Sequence, residues 1–127
     1  MCIRDSVEGG VAQAGYELNR PLRSAPVEPG AGEEPVERSF LQLDAPNVIV
    51  EAIKMAEDKD GIIIRLYESA HSGVKAKLLL GFDAVAASET DLLENELRPL
   101  ELLGDAITFE FRPFEIKTVK VTIRDNR

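Results

Sequence analysis

Tryptophan is missing from this 127-residue chain, cysteine and histidine occur once each, and tyrosine occurs twice. With Cys2 as the only cysteine no internal disulfide can form, and nothing argues for an oxidising compartment. His71 falls in a predicted turn, so no histidine is available beside a nucleophile for acyl transfer of the serine-histidine-aspartate kind. Cys2 and His71 together also fall short of the three or four ligands a zinc site needs. No apolar run approaches the roughly 20 residues that span a bilayer as a helix. Basic residues are too few to balance the acids: 15 Lys and Arg against 23 Asp and Glu leave a net charge of −8. That charge opposes binding to phosphate backbones and anionic lipid, so neither nucleic acid nor membrane is expected as a partner. A glycine-rich phosphate loop after a strand is absent too.

Carboxylates are plentiful, notably Glu68, Glu94 and Glu115. A glycosidase pair, however, must be set roughly 5 to 10 Å apart across a cleft, and abundance does not make a pair. The acidic Glu57-Asp58-Lys59-Asp60-Gly61 invites a calcium reading. Counting back from Gly61 puts Ala56 at position one and Tyr67 at position twelve, which is no EF-hand.

What remains is strand patterning. Ile107, Phe109 and Phe111 alternate with Thr108, Glu110 and Arg112, the period of a strand with one buried face. Beyond Pro113, Phe114 and Ile116 keep that alternation, whereas Val119, Val121 and Ile123 take the opposite parity. A bulge near Lys117 and Thr118 is the economical expectation, with Pro113 separating two strands. Glu115 and Lys117, flanking Ile116, read as a solvated strand face or as polar contacts to a neighbouring domain.

Earlier strands follow suit. Residues 39–43 are short and end at Asp44-Ala45-Pro46, a turn signal. Residues 47–56 are apolar on both parities, which predicts a central strand covered on both sides. Glu57 to Gly61 then closes a hairpin onto Ile62, Ile64 and Leu66, with Gly61 supplying the positive φ. Ser69 to Gly73 turns the chain into Val74, Ala76, Leu78 and Leu80, expected to form an antiparallel meander with the strand before. Ala84 to Ala87 is a candidate strand; residues 90–97 read as strand and loop in preference to a helix, since every firm neighbour is a strand. Upstream, residues 14–19 read as a short strand or a connector stopped by Pro21. Residues 24–37 form a Pro, Gly and Glu-rich linker that buries too little to offset ordering entropy. Met1-Cys2-Ile3-Arg4-Asp5-Ser6 has neither the apolar segment nor the cleavage site of a signal peptide and is expected to be a foreign leader. Without a signal peptide or disulfide, a cytoplasmic location is favoured. The predicted fold class is all-β, an antiparallel sandwich of about seven to eight short strands after an irregular N-terminal segment.

Ala52-Ile53-Lys54, then Ile64-Arg65-Leu66-Tyr67-Glu68, then Asp91-Leu92-Leu93-Glu94, then Pro113-Phe114-Glu115-Ile116-Lys117-Thr118 follow one another along the chain. In that order they resemble the C-terminal β-sandwich of the glycoside hydrolase family 38 α-mannosidases. Gly15-Tyr16-Glu17-Leu18-Asn19-Arg20-Pro21-Leu22 is similar to the family's segment just upstream, where the preceding β-domain ends. The resemblance divides the chain into a leader at 1–6, the end of the preceding β-domain plus linker at 7–38, and the sandwich at 39–124. It implies a parent that hydrolyses terminal α-mannosides with retention. The family's aspartate nucleophile, acid/base carboxylate and zinc ligands lie in a large N-terminal α/β domain outside this sequence. No catalytic residue, metal ligand or cofactor is therefore assigned here, and zinc is implied only for that domain.

The implied role is structural support, with the upstream catalytic and β-domains of the same polypeptide as partners and the α-mannoside a substrate of the parent alone. Lys54, Arg65, Glu68, Glu94, Glu115 and Lys117 are the candidate interdomain or structural polar contacts, because a lone charge among apolar strand residues is costly to bury. The alternatives are a free-standing carbohydrate-binding module and an immunoglobulin-like interaction domain. Scarce aromatic rings count against the first, and the second leaves the motif series unexplained.

Overall fold

A computed structural model describes residues 3–33 and 35–124, in two compact units, Met1–Glu37 and Arg38–Arg127. The first unit contains two short helices, α1 (Ile3–Glu8) and α2 (Val11–Asn19). The strand or connector expected at residues 14–19 is thus helical. Ala12, Gln13, Ala14, Glu17 and Leu18 are good helix formers, and the Gln13 amide donates to Glu17 one turn on (2.8 Å). Gly10, at φ 63°, separates the helices, and the Arg20 N–H closes α2 on the Tyr16 carbonyl just before Pro21. No residue of α2 is buried. Residues 21–33 have no regular element.

The second unit is all-β, with nine strands among the described residues: β1 (Leu41–Leu43), β2 (Val48–Met55), β3 (Ile62–Glu68), β4 (Val74–Leu80), β5 (Ala84–Thr90), β6 (Glu96–Leu100), β7 (Leu102–Leu103), β8 (Ala106–Phe111) and β9 (Ile116–Ile123). They form two antiparallel sheets, ordered β1-β4-β8-β7 and β2-β3-β9-β5-β6. Period-two alternation places Leu78, Ile107 and Phe109 of the smaller sheet against Ile64, Leu66, Val119 and Val121 of the larger, in one core. All of these but Phe109 are fully buried. The result is the expected β-sandwich.

Three expectations need correction. β2 lies at the edge of its sheet and is not central. Its register slips between Val50 and Ala52, so Val48 and Val50 pair with Glu68 and Leu66, while Ile53 and Met55 pair with Ile64 and Ile62. The two apolar parities are therefore one face rephased by a bulge, and doubled burial is not needed to explain them.

The phase change in the closing stretch lies in the turn around Pro113 and not at Lys117 and Thr118, where β9 pairs with β3 without a slip. Phe114 in that turn takes φ 57°, and the chain passes from β8 in one sheet to β9 in the other. Ile116 consequently faces out, 57% exposed, and Lys117 faces in, 7% exposed. This also removes the solvated-face reading of Lys117.

Finally, β3 and β4 form no meander, because the turn at residues 69–73 carries the chain between sheets. The β2–β3 hairpin does form, and its Gly61 has φ 121° and lies where an added Cβ would press on the Val121 carbonyl.

Candidate functional site

The motif residues scattered along the sequence meet on the five-stranded sheet and its end loops. β3 lies between β2 and β9, which places Ala52 opposite Arg65 and Arg65 opposite Thr118. Glu68, at the end of β3, is completely buried. Its carboxylate accepts N–H groups from Ala70 (2.7 Å) and Phe114 (2.9 Å) and the Asn47 side-chain amide (2.9 Å). The Glu68 N–H in turn donates to the Glu115 carbonyl (3.0 Å). One side chain thereby holds three loops. Burial pushes this carboxyl's pKa up, but the donors from Phe114, Asn47 and Ala70 outweigh it and leave the pKa below the usual carboxylate value. The two pinned turns each carry a left-handed residue, His71 and Phe114, whose rings stack in parallel with centroids 4.9 Å apart.

A second assembly alternates charge along one side of the sandwich. Arg112 pairs with Glu115 (3.0 Å), Glu115 with Lys117 (3.5 Å), Lys117 with Glu89 (3.2 Å) and Glu89 with Arg98 (2.6 Å). Lys117, at its centre, also lies 5.8 Å from the centroid of the Phe111 ring. Burial raises the carboxyl pKa of both Glu89 and Glu115. In Glu89 the hydrogen bonds and charges of Arg98 and Lys117 prevail, in Glu115 those of Arg112 and the charge of Lys117, and both stay below the ordinary value. Sequence reading named Glu115 and Lys117 but missed Glu89 and Arg98. Both lie outside the strands that alternation predicted, and the cross-strand register that pairs them is not a local property.

The third assembly is the tip of the β5–β6 hairpin. Asp91 accepts the N–H groups of Leu93 (2.8 Å) and Asn95 (2.9 Å), which shapes the turn and holds Glu94 at φ 68°. Glu94 pairs with Lys54 on β2 (2.7 Å) and accepts the Glu57 N–H (2.8 Å), so the tip crosses the outer face of the sheet. Ile63, Thr118 and Thr90 on that face are at most 4% exposed. The Thr90 hydroxyl, buried with them, has no hydrogen-bond partner among the described residues.

Of the six sequence-named residues, five are taken up in these assemblies. Arg65 is the exception: half-buried on the outer face, it makes one long contact from Nε to the Thr118 hydroxyl (3.4 Å) and no ion pair among the described residues. Chemically these assemblies are clamps, since every carboxylate in them is occupied by backbone N–H groups or cations. No group of three or more His, Cys, Asp or Glu among the described residues could hold a metal ion. The donor set for the implied zinc is thus not found in them.

Comparison with known proteins agrees with the motif geometry. The sequence profile of the glycosyl hydrolases family 38 C-terminal beta sandwich domain matches residues 47–119, from the loop before β2 into β9. Alpha-mannosidase 2C1 of Mus musculus is 30% identical over 122 residues, a match covering 92% of this chain and 12% of that protein. Alpha-mannosidase 2C1 of Homo sapiens is 30% identical over 125 residues, with the same coverage. The chain spans about 12% of the length of these curated relatives.

Proposed function

The chain belongs to glycosyl hydrolase family 38, as the family's C-terminal β-sandwich domain, and on that premise we propose that it is the non-catalytic C-terminal part of a longer α-mannosidase polypeptide. In this reading the parent hydrolyses terminal α-mannosides with retention, using residues and a zinc ion held upstream, and the sandwich stabilises that upstream body by packing against it. Zinc takes no part in any step performed by the residues described above.

The observation that carries the reading is the use of the motif carboxylates. Glu68, Glu94 and Glu115 all accept loop N–H groups, and Glu94 and Glu115 also pair with cations, which fixes the shape of the sheet and its loops. A carboxylate so occupied is depressed in pKa and sterically covered, the opposite of what a general acid requires. The motifs therefore specify a rigid surface.

The reading is tested on the full-length polypeptide by loosening the sandwich with Glu68→Ala and following hydrolysis of an aryl α-mannoside during a thermal ramp. Activity should survive at low temperature and be lost at a lower temperature than in the parent. Unchanged thermal inactivation would remove the support role, and immediate loss of turnover with the fold intact would make the domain part of the catalytic apparatus.

A further inference from the structure

The β5–β6 tip, residues 91–95, crosses the outer face of the five-stranded sheet without burying an apolar side chain there. Leu92 is 63% exposed and Leu93 81%. Polar contacts hold the tip down instead: Glu94 pairs with Lys54 (2.7 Å) and accepts the Glu57 N–H (2.8 Å). The pair stands half in solvent, with 43% of the Lys54 side chain and 11% of Glu94 exposed, so added salt weakens it. Lys54 also has a second anion in reach, the Glu57 carboxylate at 2.6 Å, and is not left alone when Glu94 departs.

The docked position carries a penalty. Thr90, at the foot of the tip, is 4% exposed and its hydroxyl has no hydrogen-bond partner among the described residues. A hydroxyl buried in this way has lost its hydration without a replacement, and lifting the tip returns water to it. The tip can lift as a unit. Asp91 accepts the Leu93 and Asn95 N–H groups and the Asn95 amide, all within the tip, so its shape does not depend on the sheet below. The β5–β6 ladder is irregular between Glu89 and Thr90, which supplies a place to bend. Few contacts, all of them polar, mark an element that opens at lower cost than the strands it covers.

We infer that the β5–β6 tip is a salt-released latch, closed over Thr90 through Glu94 and lifted when that carboxylate loses Lys54 and the Glu57 N–H. The Lys120–Asp58 pair lies outside the tip and keeps the β2–β3 hairpin in place when the latch opens.

The test is hydrogen–deuterium exchange of the full-length polypeptide at fixed pH, read by mass spectrometry in peptides covering residues 54–58 and 91–96, with residues 106–111 of β8 as the reference. Raising sodium chloride from about 0.05 M to about 1 M should speed exchange in both test peptides about two- to fivefold and leave β8 unchanged. Glu94→Gln should exchange at the faster rate already in low salt and respond no further. Thr90→Val, which puts a methyl where the unpaired hydroxyl was, should slow exchange at the tip. A salt response that is absent in the parent, or undiminished in Glu94→Gln, overturns the latch. So does faster exchange in Thr90→Val, which would show the hydroxyl to be satisfied when the tip is down. If β8 speeds up together with the tip, the tip opens only with the whole domain and the inference falls as well.

Discussion

The two sheets share one core yet differ in everything outside it. The four-stranded sheet alternates plainly: Val74, Ala76, Leu78 and Leu80 point in, and Lys75 and Lys77 point out into solvent. On the five-stranded sheet charges point inward, as with Glu68 and Lys117, and an isoleucine points outward at Ile116. The first sheet joins apolar burial to its backbone ladders, with Asp44 accepting the Lys77 N–H (2.7 Å). The second adds ion pairs and capped loops, and the four ordered motifs that resemble the family's sandwich lie on it or on loops joined to it.

That contrast can be broken most forcefully at Glu68. Glu68→Ala leaves the Phe114 and Ala70 N–H groups and the Asn47 amide without their acceptor, and we expect a loss of about 3 to 5 kcal/mol in urea unfolding. Glu110→Ala, on the exposed face of β8, should change stability by no more than about 0.5 kcal/mol. Equal effects would mean that the inward carboxylate contributes nothing special. Lys117→Met should follow at about 2 to 4 kcal/mol, since it removes the cation between Glu89 and Glu115, whereas Lys77→Met should stay within about 0.5 kcal/mol.

Acid sharpens the comparison. The carboxyls of Glu68, Glu89 and Glu115 all have folded pKa values below their unfolded ones. Their contribution is thus present above the ordinary carboxylate range and is lost as pH falls through the lowered folded values. Unfolding monitored from neutral pH downward should show stability falling on that limb, and Glu68→Gln should make the fall shallower. An identical acid limb in the variant would show that Glu68 is not among the titrating groups. The smallest effect is expected at Ile116→Thr, within about 0.5 kcal/mol for the chain alone, because the side chain is already largely in water. A large loss there would mean that Ile116 packs within the domain.

Alternation of apolar side chains determined the sandwich and nearly every strand, because period two is a local property and each strand buries one face. The ordered motifs determined the family for a similar reason, being contiguous in the chain. Where two strands shared one parity or broke it, sequence had no way to choose. The doubled parity at residues 48–55 is a bulge on an edge strand, and the switch after Pro113 is a change of sheet. Both depend on which strand pairs with which, a matter of register between distant residues. The same dependence hid Glu89 and Arg98 beside Lys117, reversed the roles of Ile116 and Lys117, and left Arg65 as the motif charge without a counterion among the described residues. Those outcomes belong to tertiary structure alone, since a charge or an isoleucine acquires its meaning from whatever lies across the sheet.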